Sequence, residues 1–174
     1  MDNTMLSVAK HIAANYAAFG LTAAGDLKLI ERSKSSWVNG AKWLIMLAMR
    51  TTSDTSRGVP FGNLLSTGVR GERFMTLIEF ECKTRAPDPT KDFYWNTVRQ
   101  FRDKVYNALA GPNRNGIVIP RMDWTNPSEP VQDGEIWFKC NPPNSPMEDP
   151  IEDPEDPANK SIFLTYQVHW WRKV

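Results

Sequence analysis

The sequence comes nearest to catalytic chemistry at Glu81-Cys82-Lys83. Residues two apart on a strand share a face, so Glu81 and Lys83 would stand side by side. Magnesium-dependent phosphodiesterases use such a pair: the carboxylate holds the metal and the lysine supports the attacking water. That chemistry also needs an aspartate on a neighbouring strand, and Asp54, in a Ser/Thr-rich stretch, is the one upstream candidate. Glu79 continues the same face, and alternating Glu and Lys is equally the mark of a solvated strand surface. A nuclease using Glu81 and Lys83 is therefore the enzymatic alternative, and a protein that binds other proteins is the main expectation.

Other chemistries are not spelled out. There are two histidines, His11 and His169, and neither stands near a nucleophile elbow. Gly68-Val69-Arg70-Gly71 is too short for a phosphate loop. The acids from Glu148 to Asp156 are interrupted by prolines and lack the central glycine of a calcium loop. Cys82 and Cys140 have no metal-ligand spacing, and two thiols without a leader point to a reducing compartment. No catalytic residue, metal site or cofactor is expected.

Composition narrows the partners. The 174 residues are 41% hydrophobic and 11% aromatic, enough to bury a core in one domain spanning 1–174. A net charge of +1 argues against a sequence-specific nucleic-acid binder, and the longest apolar run, Trp43 to Met49, is too short for a membrane helix. The average hides a split. Glu148, Asp149, Glu152, Asp153, Glu155 and Asp156 form an acidic strip, without which the chain carries about +7. Prolines 150, 154 and 157 make 141–159 an extended excursion, with the strip exposed for a basic neighbour.

The elements that must position these residues follow from periodicity. Met5, Val8, Ile12, Tyr16 and Phe19 predict a helix over 5–19 closed by Gly20. Lys42 to Met49 reads as a central strand, apolar on both faces. Residues 51–71 read as a long polar loop. It holds Arg57, Val59, Phe61, Leu64, Leu65 and Arg70, and apolar side chains in a polar loop predict an interaction element. Period-two alternation predicts a strand over 72–84, and Phe93, Thr97, Phe101, Val105 and Leu109 a helix over 90–110. Strands at 116–119 and 135–138 and a long closing strand at 162–171 complete the chain. The order gives an α+β fold, an antiparallel or mixed sheet with two main helices on one face.

This succession of helix, strand, polar loop, alternating strand, Pro-containing turn, helix and closing strand resembles the tail terminator proteins of long-tailed bacteriophages, the family of the lambda-like minor tail protein. The strand Leu77-Ile78-Glu79-Phe80-Glu81 alternates apolar and acidic residues as that family does. The 116–159 region is longer than the family core. The resemblance implies a homo-hexameric ring that caps the tail tube protein, stops its polymerisation and presents a surface to the head-tail connector or neck protein. A different neck or head-completion protein is the related alternative. Trp37, Trp124 and Trp171 are candidate anchors for such interfaces.

Overall fold

A computed structural model describes residues 2–29, 42–53, 63–64, 70–86, 93–139, 150–154 and 156–173. Helix α1 (Asn3–Ala14) starts at Asp2, whose carboxylate caps the Thr4 N–H at 3.2 Å. Asn15 ends it, earlier than the expected Phe19, and a run of turns carries the chain to Gly20. A short 3₁₀ turn (Ala24–Asp26) leads into β1 (Leu27–Leu29), which lies parallel to β2 (Lys42–Ser53). Strands β3 (Asn63–Leu64) and β4 (Arg70–Arg85) precede α2 (Phe93–Ala110). The chain continues through β5 (Val118–Asp123), β6 (Val131–Phe138), β7 (Ile151–Asp153) and β8 (Asp156–Lys173).

The eight strands among the described residues join one mixed sheet, ordered β1-β2-β4-β8-β6-β5, with β3 beside β4 and β7 beside β8. The long strands β4 and β8 form its spine, paired from Gly71↔Lys173 to Arg85↔Asn159. Alternation then sorts their side chains. Ile78, Phe80 and Cys82 of β4 and Ile162, Leu164, Tyr166, Val168 and Trp170 of β8 are buried on one face. Met5, Val8 and Ile12 of α1 and Phe101, Val105 and Leu109 of α2 complete the same core cluster. Both helices therefore cover one face of the sheet, and the α+β expectation holds. Gly111, at φ +69°, ends α2 in the left-handed conformation that glycine adopts without strain.

Two expected stretches, 51–71 and 141–159, differ in the structure. The expected loop 51–71 is shorter, because Thr51–Ser53 extend β2, Asn63–Leu64 form β3, and Arg70 and Gly71 begin β4. Threonine is a good strand residue, and Thr51 Oγ1 lies 2.9 Å from Thr76 Oγ1 across the ladder. Residues 54–62 and 65–69, and the first residues of the expected helix 90–110, lie outside the described residues. The excursion 141–159 is strand in its second half, since β7 and the start of β8 form a hairpin with Glu152 opposite Lys160. Prolines 150 and 154 flank the paired residues 151–153, and Pro157 lies in the start of β8 at the register shift between the Glu152–Lys160 and Asp153–Asp156 pairs.

One outer edge is β5. Its pairing with β6 puts the Ile117 carbonyl on the Phe138 N–H at 2.9 Å, so alternate residues 117, 119 and 121 turn their backbone groups inward. Pro120 thus falls where an N–H would point outward, away from the sheet.

Candidate functional site

Four places in the fold gather chemistry-bearing residues. At the first, β4 sets Glu81 and Lys83 on the sheet face away from the helices. Glu81 Oε1 accepts from Ser161 Oγ at 2.7 Å, and Lys83 Nζ stands 3.8 Å from Glu81 and 3.7 Å from Asp153. The ammonium thus occupies the space between the two carboxylates, the position a metal ion would need. Both Glu81 and Lys83 are buried, at 8% and 7% exposure. Asp54 lies outside the described residues, but Ser53 before it pairs with Phe74. That places this end of β2 seven residues along β4 from Glu81, about 23 Å at ~3.3 Å per residue. Among the described residues no group of three or more His, Cys, Asp or Glu could hold a metal ion.

The second place is the acidic hairpin. Glu152 pairs with Lys160, whose side chain is only 2% exposed. Asp153 faces Lys83, and Asp156 pairs with Arg85. The hydrogen bond from Arg85 holds the Asp156 carboxyl below the usual carboxylate range. These three acids were expected as a solvated strip awaiting a basic neighbour; they have bases of their own chain instead. For Glu152 and Asp153 the reason lies in burial: the ammonium groups of Lys160 and Lys83 are enclosed by protein and require paired carboxylates. Glu148, Asp149 and Glu155 lie outside the described residues.

The third is a cavity of about 370 Å³ at the N-terminal end of α1, lined by Asn3, Glu72, Arg121, Asp123, Asp133 and Arg172 among others. Arg121 is 3% exposed; its Nε donates to Thr4 Oγ1 at 3.0 Å, its Nη1 to Asp133, and its guanidinium lies 4.9 Å from the centre of the Trp170 ring. Arg172 is held by Glu72 at 2.8 Å. Asp123 accepts from Thr125 and from Asn3, and the Thr125 bonds chiefly hold its carboxyl below the usual range. The wall sets three cations, Lys173 included, against three carboxylates, so it favours an ion of neither sign.

The fourth is the sheet face opposite the helices. The ladders give its side chains in rows. Arg73, Trp171 and Glu135 form one row with Pro120 beside them; Met75, His169, Trp137 and Val118 form the next. Leu77 and Gln167 follow, then Leu47, Glu79 and Thr165. Trp171 Nε1 donates to Glu135 at 3.3 Å, and the Trp137 and His169 rings lie 6.2 Å apart. Near β7 this face is closed, with Trp43 and Ile45 at 4% and 6% exposure. Toward the other end it opens: Met75, Leu77, Trp137, His169 and Trp171 are half-buried, while Glu135 and Val118 are exposed.

The expected interaction residues are scattered by the fold. Leu64 and Arg70 pair with each other in the β3–β4 ladder. Arg57, Val59, Phe61 and Leu65 lie outside the described residues, as does Trp37. Trp124 is half-buried, with Nε1 donating to Ser7 Oγ at 3.3 Å and Lys10 over its ring. Trp171 is on the open face. Arg121 is not among the residues expected from the sequence, although a charge inside Val118-Ile119-Pro120-Arg121, at the position that continues the inward phase of Ile119, is the signal that finds it. Among the described residues no helix is long and apolar enough to cross a membrane. Comparison of the sequence with protein-family models and with curated proteins finds no match.

Proposed function

We propose that the chain is a structural protein of virion assembly, a tail terminator that caps a phage tail tube. As a homo-hexameric ring it stops tube polymerisation and offers the head connector a docking surface, working at the head-proximal end of the tail. The observation that carries this reading is the element order. Helix α1, strands β2 and β4, helix α2 and closing strand β8 follow in the succession the resemblance implies, and Leu77 to Glu81 lie in a central strand. Two further features support it. The helices cover a single face of the sheet, leaving an aromatic-rich face for contacts between proteins. The Glu81–Lys83 pair is buried and mutually satisfied, a poor arrangement for binding magnesium and a phosphodiester.

The test is electron microscopy of the purified protein, alone and with tube protein, together with its mass in solution. Six-fold rings at one end of tubes of arrested length are expected. A protein that neither forms rings nor binds tube ends would remove the terminator reading. Binding to connector alone would favour a neck or head-completion role. DNA cleavage with Mg²⁺ that disappears in Glu81→Gln and Lys83→Met would restore the nuclease.

A further inference from the structure

The open part of the sheet face carries an inference that does not depend on the tail-terminator reading. It spans five strands, β2 to β5, and four rows of side chains, from the Arg73 row to the Glu79 row. At about 4.8 Å between strands and ~3.3 Å per residue it covers on the order of 500–600 Å². Its centre is Trp171, His169, Trp137, Met75 and Leu77, the residue types that dominate interface energies. Among its described side chains the charged members are Arg73, Glu79 and Glu135; Arg50 stands opposite Leu77 in the β2–β4 ladder.

The placement of two of these charges selects the occupant. β8 runs down the middle, with β4 on one side and β6 on the other. Arg73 of β4 and Glu135 of β6 both pair with Trp171, so they flank β8 at the same height, one strand to either side. A half-turn about an axis along β8, lying between two facing sheets, exchanges those sides. It sets Arg73 of each copy over Glu135 of the other and Met75 over Trp137, while β8 packs on β8. Sheets packed face to face cross at about 30°. That rotation moves groups one strand (~4.8 Å) from the axis by only about 2–3 Å, within reach of both long side chains. The Arg73–Glu135 arrangement is thus self-complementary under a two-fold operation.

We propose that this face is a self-association surface, through which two copies pack sheet to sheet with reciprocal Arg73–Glu135 pairs. The buried area, roughly twice the patch, falls at the low end for specific interfaces, so the dimer is weak and reversible.

The test is sedimentation velocity with light scattering from about 1 to 300 μM, on the full chain and on variants at two surface positions whose folding is checked by circular dichroism. A reversible dimer of about 40 kDa is expected, twice the 19.8 kDa chain. Arg73→Glu and Glu135→Arg should each weaken it about tenfold or more, and the double exchange should return it to within about threefold of the parent. Three results would overturn the proposal: a monomer throughout that range, a double variant no better than the singles, or a larger assembly that none of the substitutions alters. The last would leave the ring reading standing while removing this one. A dimer with the expected charge-swap behaviour and no larger ring would do the reverse.

Discussion

Replacing Glu152 by Gln isolates the contribution of the acidic hairpin to folding. The substitution keeps the shape of the side chain and removes its charge. Its partner Lys160 has a side chain 2% exposed and sits in the β7–β8 ladder directly opposite. Breaking a fully buried pair by removing one charge costs about 3–5 kcal/mol. Glu152 itself is 45% exposed, so water already screens part of the attraction, and Lys160 has further interactions. The discounted expectation is about 1–2 kcal/mol. For a chain of this length that corresponds to roughly 3–8 °C in melting temperature. Lys160→Met removes the buried charge together with its desolvation cost and should be close to neutral. In the double variant Glu152→Gln/Lys160→Met, the loss should therefore be smaller than in Glu152→Gln alone. Urea unfolding of the four proteins, followed by tryptophan fluorescence, measures the cycle. A Glu152→Gln loss below about 0.5 kcal/mol, or additive losses in the double variant, would refute the view that the hairpin acids answer buried lysines.

Further outcomes follow from the packing. Gly134→Ala should cost about 2–4 kcal/mol in urea unfolding, because a methyl group there would overlap the Trp171 backbone, 2.8 Å from its carbonyl carbon. Burial pushes the Cys82 thiol up well beyond the ordinary cysteine range. In a Cys140→Ser background, labelling at pH 8 should be at least about a hundredfold slower in the native protein than in urea. The Asp156 carboxyl, depressed chiefly by its bond from Arg85, contributes stability that is present above its unfolded value and lost as pH falls through its folded one. Carboxyl NMR titration should place its midpoint below the ordinary 3.8 and return it toward that value in Arg85→Gln.

Much of the architecture was legible because period speaks directly of faces. The alternation over 72–84 and the four-residue spacing from Phe93 to Leu109 located β4 and α2 to within a few residues. Composition misled where residue type was taken for conformation. Thr51 and Ser53 read as loop, yet their register opposite Thr76 and Phe74 gives them a ladder to extend. The acid-proline run read as a solvated excursion because nothing local in it shows that Lys160 and Lys83 will be buried beside it. The Lys83–Asp153 pairing spans a separation that period cannot reach, and the Glu152–Lys160 pairing needs the register of the β7–β8 hairpin. The same holds for the cavity at α1, which assembles Asn3, Glu72, Arg121, Asp133 and Arg172 from five elements or connections. The row joining Arg73, Trp171 and Glu135 needed strand order and register together, and neither is written in any one segment.

Pro120 carries a consequence for how this molecule can grow into anything larger. A bare strand edge invites a foreign strand to zip alongside it, and repetition of that event leads to fibres. At the outer rim formed by β5 the invitation is weakened, because Pro120, in the same outward phase as Val118, has no hydrogen to give to an incoming chain. Any association at that rim then relies on side-chain contacts, because the backbone ladder cannot extend past Pro120. Replacing Pro120 with valine would reopen the rim, and the cost would appear on storage at high concentration, as thioflavin-positive aggregate that the parent protein does not form.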